Sequence, residues 1–292
     1  MPTIADLPIG AKIKFGAYSV NGEAPHKICW IKAHRDNTLL SEFLEEQCAF
    51  DAAEPNNPDN TCQKRGNCRY SLSNINQFLN AHGTNWYRKT HEHDEAPEDD
   101  KMYHGVYGYY NKPGFLSYFD ESEIESIEPT ATSTALPTRD TQTTGAVADI
   151  IYDSVFIPSK INLFAGDTDG VEDEQWDLFS NYKIEKNCAF SKELFENTNH
   201  ENKPGRLQSR WYYSLRSSGK NSGMVDYVDI GGETYSTYPN LEYLGIRPAL
   251  KLKYNTLVSD IVDEDGYYEV ITESQEAIEI SDDDFFAILK AK

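Results

Sequence analysis

The chain has 292 residues, 39% of them hydrophobic, and a formal net charge of -21 at pH 7. That length holds one large domain, or one domain with appendages. The acidic balance, with no run of lysines and arginines, excludes a surface that releases counterions from a phosphate backbone, and equally one that binds anionic membranes. No apolar run approaches the ~20 residues needed to span a bilayer.

The start, MPTIADLPIGAKIKF, lacks a basic region followed by an apolar stretch, so a soluble product made in the cytoplasm is expected. Tyrosine is frequent, at 19 residues against 13 Phe and 4 Trp. It suits half-exposed strand faces and equally an amphipathic contact surface with little rotamer entropy to lose. The five cysteines are scattered without a Cys-x-x-Cys pair, so no structural zinc site is written in their spacing. Reduced thiols are expected, with a Cys62–Cys68 bridge as the alternative.

AKIKFGAY (11–18), KICWIKAH (27–34) and NTLLSEF (37–43) read as strands separated by the turn-like NGEAP (21–25) and RDN (35–37). After a loop rich in Asn, Pro and Asp (54–67), Ser71 or Ser73 caps a predicted helix over 74–82. Its Ile75, Phe78 and Leu79 share one face, and Gly83 stops it. Residues 85–116 are aromatic, acidic and aperiodic, as in a long surface excursion. FDESEIESI (119–127) predicts a short helix with acidic residues in its first turn. The Thr-rich stretch 130–145 is an irregular strand or a loop, DSVFIPS (153–159) a short buried strand, and 165–179 an acidic loop leading to Trp176 and Phe179. Beyond Tyr254, residues 263–280 read as a hairpin or two short strands. SDDDFFAILKAK (281–292) reads as a terminal helix capped by Ser281, with Phe285, Phe286 and Leu289 as its apolar face.

Two arginines stand inside apolar strand patterns: Arg216 in SRWYYSLRSSG (209–219) and Arg247 in YLGIRPALKLK (243–253). Burying a guanidinium is expensive unless its donors are paired. Each therefore either pairs with a carboxylate ligand or bonds buried carbonyls and an acidic partner to pin the last strands, and the structural role is the expectation. Asp167, Asp169, Glu172 and Asp173 lie in a loop like part of a calcium site. However, aligning Gly170 with the turn glycine of an EF-hand puts Trp176 where a bidentate Glu is required. A solvated acidic loop is expected, with calcium as the one cofactor it leaves open. His91, His93 and His104 could gather a metal, but the helical His-Glu-x-x-His spacing is absent. No nucleophile elbow, phosphate-cradling glycine loop or selected carboxylate pair is present. Cys188, next to a predicted helix start, is either a reactive thiol or a buried one.

The ordered landmarks are Trp30-Ile31, Leu39-Leu40-Ser41, SNINQFLN (73–80), GFLSYFDESEI (114–124), SVFIPS (154–159), WYYSLRS (211–217) and GIRPAL (245–250). This series resembles an uncharacterised domain family of Gram-positive bacteria and their phages. The family shows a Ser-x-Ile-x-x-Trp-Leu-Asn helix, then Trp-Trp-Leu-Arg-Ser, and closes on Gly-Val-Arg-Pro-Ala-Leu. Phe78 replaces the helix tryptophan, and Tyr213 and Ser214 alter the paired-tryptophan motif. The ending is also similar to that of C-type-lectin-like domains.

The resemblance implies an α+β, C-type-lectin-like domain over 1–254, with small antiparallel sheets, few helices and long irregular loops. Residues 255–292 would form a hairpin and short helix serving as an anchor. It further implies a non-enzymatic virion protein of a phage, tail-associated or receptor-binding and oligomeric in its particle. Its partners would be other virion proteins and a host cell-surface glycan or protein, with no nucleic acid and no membrane insertion. On this reading the ligand meets a loop over 218–242, where Tyr227, Tyr235, Tyr238 and Asn240 stack on or hydrogen-bond to sugars. Capsid decoration anchored by the C-terminal tail is one alternative. A metal-assisted enzyme acting on cell-wall glycans is the other.

Overall fold

The computed structural model of the chain describes residues 1–103, 108–137, 140, 144–165, 173–181, 184–197, 210–219 and 223–272. Its strands in chain order begin with β1 (Lys12–Tyr18), β2 (His26–Lys32), β3 (Thr38–Ser41), β4 (Phe43–Leu44), β5 (Glu46–Gln47), β6 (Thr130–Ala135), β7 (Ala148–Asp153) and β8 (Val155–Phe156). They continue with β9 (Ala189–Phe190), β10 (Tyr213–Ser218), β11 (Val225–Val228), β12 (Thr234–Thr237), β13 (Gly245–Ile246), β14 (Ala249–Lys251), β15 (Leu257–Val258) and β16 (Tyr268–Ile271). The helices are short: α1 (Asn60–Arg65), α2 (Asn74–Leu79), α3 (Glu121–Ser126), α4 (Lys160–Leu163), α5 (Asp177–Ser180) and α6 (Lys192–Asn197). The architecture is mixed α+β, with few helices and several sheets.

The largest sheet runs β15-β16-β1-β2-β3-β14-β8, and a second runs β12-β11-β10-β13-β5. Most neighbours are antiparallel, as expected. The pairs β1–β16, β10–β13 and β4–β9 are parallel instead. Within β1 the register with β2 shifts between Lys14 and Ala17, where Gly16 sits at φ +66°. A Cβ at Gly16 would stand 2.1 Å from the Phe119 ring, so both backbone conformation and space demand glycine there. Trp30, fully buried on β2, donates its indole N–H to the Phe15 carbonyl at 2.7 Å. Ser73 caps α2 by accepting from the Asn76 N–H, and Ile75, Phe78 and Leu79 are buried as their spacing requires. Asp120 and Glu123 form a capping box on α3.

Two segments thread both sheets. Residues 38–47 supply β3 to the first sheet and β5 to the second, and residues 245–251 supply β13 to the second and β14 to the first. Arg247 lies where the latter crosses. Its Nε donates to the Ser41 carbonyl at 3.0 Å, and Nη1 reaches the Lys186 carbonyl and the Tyr213 hydroxyl, each at 3.4 Å. Arg216, on β10, is wholly buried. Nε donates to Thr134 Oγ1 (3.1 Å), and Nη1 to the Ile157 carbonyl (2.8 Å) and Asn162 Oδ1 (3.0 Å), while Nη2 pairs with Asp173. One guanidinium thus ties together β6, the end of β8, α4 and the acidic loop.

Three stretches differ from their sequence reading. Residues 85–116 are not merely a surface excursion: Trp86 and Tyr109 stack at 5.6 Å, both pack edge-on against Phe78, and Tyr109 bonds the Ala49 carbonyl. An aperiodic segment can still fill a core when its aromatic side chains project from turns. Residues 218–242 are not an open loop, because β11 and β12 form a hairpin there. Residues 255–272 are part of the first sheet, with Ile13 opposite Tyr268 and Leu257 opposite Ile271. The predicted terminal helix over 281–292 lies outside the described residues.

Candidate functional site

The β10–β11–β12 face carries a run of aromatic rings whose alignment follows from register. Ser214 stands opposite Tyr227, and Tyr227 opposite Tyr235, so these three share one face; Tyr212, two residues before Ser214, joins them by the strand's period of two. Tyr212 and Tyr227 have ring centroids 5.9 Å apart, and Tyr227 and Tyr235 6.1 Å. Tyr212 also meets Trp211 at 5.5 Å and Tyr243 at 6.1 Å. Trp211 is held on both sides. Its backbone N–H donates to the Cys188 carbonyl at 2.9 Å, its indole N–H to the Tyr243 carbonyl at 2.6 Å, and its ring leans on Phe190 at 5.5 Å.

The rings of the strip contact one another in sequence and are partly open to solvent. Trp211, Tyr212 and Tyr227 are half-buried, while Tyr235 and Tyr243 are 53% and 38% exposed. The other tryptophans, Trp30, Trp86 and Trp176, are buried. Burial, reinforced by neighbouring phenols, raises the pKa of Tyr227 and of Tyr243, so both stay neutral hydrogen-bonding groups at physiological pH.

Phe190 leads from the strip into a cleft of about 470 Å³. β2 contributes His26 and Cys29, β4 and the residue after it Phe43 and Glu45, and the start of α6 contributes Glu193 and Phe195. β4 and β9 are brought together by parallel pairing, with Phe43 opposite Ala189 and Leu44 opposite Phe190. Glu45 is buried, and its Oε2 lies 2.9 Å from His26 Nε2. Burial raises the Glu45 pKa, partly offset by hydrogen bonds from His26 and Ser191. Burial alone would lower the His26 pKa, but the Glu45 bond and the charges of Glu45 and Glu193 outweigh it and raise the value. With Nε2 donating to Glu45, His26 Nδ1 is buried and has no partner among the described residues.

The thiols and the serine hydroxyl around the cleft are held by burial and hydrogen bonding. Burial pushes the Cys29 thiol up to about 11, far from a thiolate at neutral pH. Ser191 Oγ accepts from the Leu194 N–H at 3.2 Å, as the cap of α6. Cys188 is buried, pushed up to about 11, and donates to the Glu42 carbonyl. The five cysteines form no disulfide, Cys62 and Cys68 included.

The sequence-predicted residues are divided by the fold. Tyr227 and Tyr235 sit side by side in the strip. Tyr238 and Asn240 face α1 instead: the Arg65 guanidinium lies 3.2 Å from the Tyr238 ring centroid, and Asn240 is buried with its amide donating to the Lys64 carbonyl. Asp173, the one described member of the proposed calcium set, accepts from the Ser133 N–H and pairs with Arg216; Asp167, Asp169 and Glu172 lie outside the described residues. His91 bonds the buried Glu54 at 2.7 Å, and His104 is outside the described residues. Among the described residues no group of three or more His, Cys, Asp or Glu is placed to hold a metal ion.

Sequence reasoning missed Trp211, Tyr212 and Tyr243, which look like core residues of a strand motif. A signal was present for part of the strip: Tyr227 and Tyr235 stand eight residues apart around Gly231–Gly232, as cross-strand partners of a hairpin do, whereas Tyr243 lies in the turn before β13. The cleft had no local signal, since Glu45 and Glu193 are brought together only by β4–β9 pairing.

A model of a family described as a domain of unknown function (DUF6273) matches residues 36–254, well over half of the chain. No curated protein and no solved structure matches. Among the described residues no helix is long and apolar enough to cross a membrane.

Proposed function

The chain belongs to the DUF6273 family, and we propose that it is a recognition module whose aromatic strip binds a carbohydrate chain. The observation that carries this reading is the continuous row Trp211–Tyr212–Tyr227–Tyr235, with Tyr243 beside Tyr212. Sugar rings present C–H faces that lie against aromatic rings, and hydroxyls that bond phenols. Side chains already ordered by their neighbours lose little entropy on binding. The strip and the cleft follow one another through Phe190, which suits an extended ligand with a terminal group to seat.

The same proposal covers the finer expectations. The order of landmarks along the chain supports a C-type-lectin-like domain. The family resemblance supports a non-enzymatic role on a phage particle, tail-associated or receptor-binding, where the strip would meet a host cell-wall glycan. The protonated thiols and the capping role of Ser191 favour binding over turnover.

The test is a fluorescence titration of the full chain with soluble cell-wall oligosaccharides. Trp211 is the indole a ligand reaches, so its emission should change on binding. Trp211→Ala and Tyr227→Ala should each weaken binding by about 1–2 kcal/mol. Unchanged affinity in both variants would overturn the reading, and binding of a protein partner instead would redirect it.

A further inference from the structure

We infer that β7 is a pairing edge, at which a second copy of this chain adds its own β7 antiparallel across a two-fold axis. The inference is independent of the glycan reading. The β6–β7 hairpin is a two-stranded sheet of its own, with Thr130 opposite Asp153 and Ala135 opposite Ala148. Just beyond the strands, the Leu136 N–H donates to the Val147 carbonyl at 3.0 Å. Antiparallel alternation then turns the backbone groups of Ala148, Ile150 and Tyr152 away from β6, and they bond nothing there among the described residues. The outer edge of β6 is covered by contrast. There the Ser133 N–H donates to Asp173 Oδ1 at 3.0 Å, and the Ala135 carbonyl accepts from Ser218 Oγ at 3.1 Å.

The side chains along the open edge are uncharged. Ile150 and Tyr152 are 68% and 76% exposed on one face, where their cross-strand neighbours are Ser133 and Ala131. The other face holds the hairpin down: Ile151 packs against the core, Asp149 pairs with Arg69, and Asp153 accepts from Asn76. Edge strands that avoid partners carry a lysine, a proline or a bulge, and β7 has none of these.

A second copy is the occupant that fits. Two chains of net charge -21 repel except where the facing surfaces carry no charge, and the outer face of this hairpin is such a surface. Setting Ile150 opposite its own copy gives Tyr152 the small Ala148 as its neighbour. It also opposes no two carboxylates, because Asp149 then stands across from Ile151. The joined sheet runs β6-β7-β7-β6, with a covered β6 at each end, so the assembly closes at two copies instead of growing into a fibre.

Sedimentation velocity of the full chain, from about 1 to about 100 µM, tests the pairing. The mass should rise from 33.2 kDa toward twice that value, and added salt should favour the pair by screening the two acidic chains. Ile150→Lys sets two ammonium groups face to face and should hold the chain at the mass of one copy. Its melting temperature should match the parent's, since residue 150 is exposed. Ile150→Cys should give a covalent dimer on mild oxidation, because opposite residues of a bonded pair stand about 5.5 Å apart, within disulfide reach. Tyr152→Cys, also exposed but not opposite its own copy, should not. A parent that keeps the mass of one chain at every concentration overturns the inference and leaves the edge to a strand of another protein. A dimer that Ile150→Lys does not weaken, or equal cross-linking of the two cysteine variants, overturns it as well.

Discussion

Phe190 and Trp211 stand 5.5 Å apart, with their rings inclined at 34°, and this contact joins the apolar wall of the cleft to the first ring of the strip. Phe190 is nearly buried, so Phe190→Ala should cost about 3–5 kcal/mol of stability and loosen Trp211 as well. Tyr235→Ala and Tyr243→Ala remove exposed rings and should stay within about 0.5 kcal/mol of the parent. Chemical denaturation of the three variants checks the contrast. A large loss in Tyr235→Ala would mean that the strip is part of the core rather than a presented surface.

Arg216 makes the second prediction. Removing its guanidinium takes the Arg216 donor from the Ile157 carbonyl and Thr134 Oγ1, leaves Asn162 Oδ1 with the Ser159 N–H alone, and deprives Asp173 of its counter-ion. Arg216→Ala should cost about 3–5 kcal/mol, and Arg216→Lys should recover little, since one ammonium cannot reach three directions. Melting temperatures of the two variants measure this; a lysine variant as stable as the parent would show that charge alone suffices.

The third concerns pH. Burial pushes the Asp153 carboxyl up to about 6 despite the Asn76 hydrogen bond and the field of Arg216, against 3.8 as its ordinary value. The folded state therefore holds this proton more tightly than the unfolded state. Asp153 contributes no penalty below about pH 4, and its ionisation costs stability as pH rises through about 6, by about 3 kcal/mol at most. The stability of the parent relative to Asp153→Asn should accordingly fall between pH 4 and pH 7. Asn76 can still donate to the new amide oxygen, so the hydrogen bond is retained. A difference independent of pH would rule out the raised carboxyl.

The C-terminal boundary gives the fourth. Truncation after Tyr254 removes β15 and β16, the parallel pairing with Ile13 and Lys14, and the bond from Tyr267 to Glu42. It should lower the melting temperature sharply. Truncation after Thr272 keeps all of these contacts, so it is the cut that tests an anchoring role for the last residues through incorporation into particles. Equal stability of the two truncated chains would show that β16 contributes little to the first sheet.

These contrasts mark where the sequence was legible. Strong alternation made β1, β2 and β3 readable, and Ser73 with Ile75, Phe78 and Leu79 made α2 readable, because local patterns specify those elements. The two arginines could be recognised as buried from their apolar neighbours, but the partners of Arg216 come from four other parts of the chain. The β11–β12 hairpin has its own signal in Gly231–Gly232 between two aromatic-bearing runs, but each run is only four residues long, too short for a clear alternation. The cleft could not have been found this way: His26, Glu45 and Glu193 belong to segments with no common period, and only tertiary pairing makes them neighbours.

The central claim is that the strip binds glycan, and a retention assay on insoluble cell-wall glycan tests it most directly. The full chain and the Trp211→Ala/Tyr227→Ala double variant are compared after each is shown to have a native melting temperature. The account predicts that the parent is retained on the glycan and that the double variant stays in the supernatant. Equal retention of both, or no retention of the parent, would contradict it.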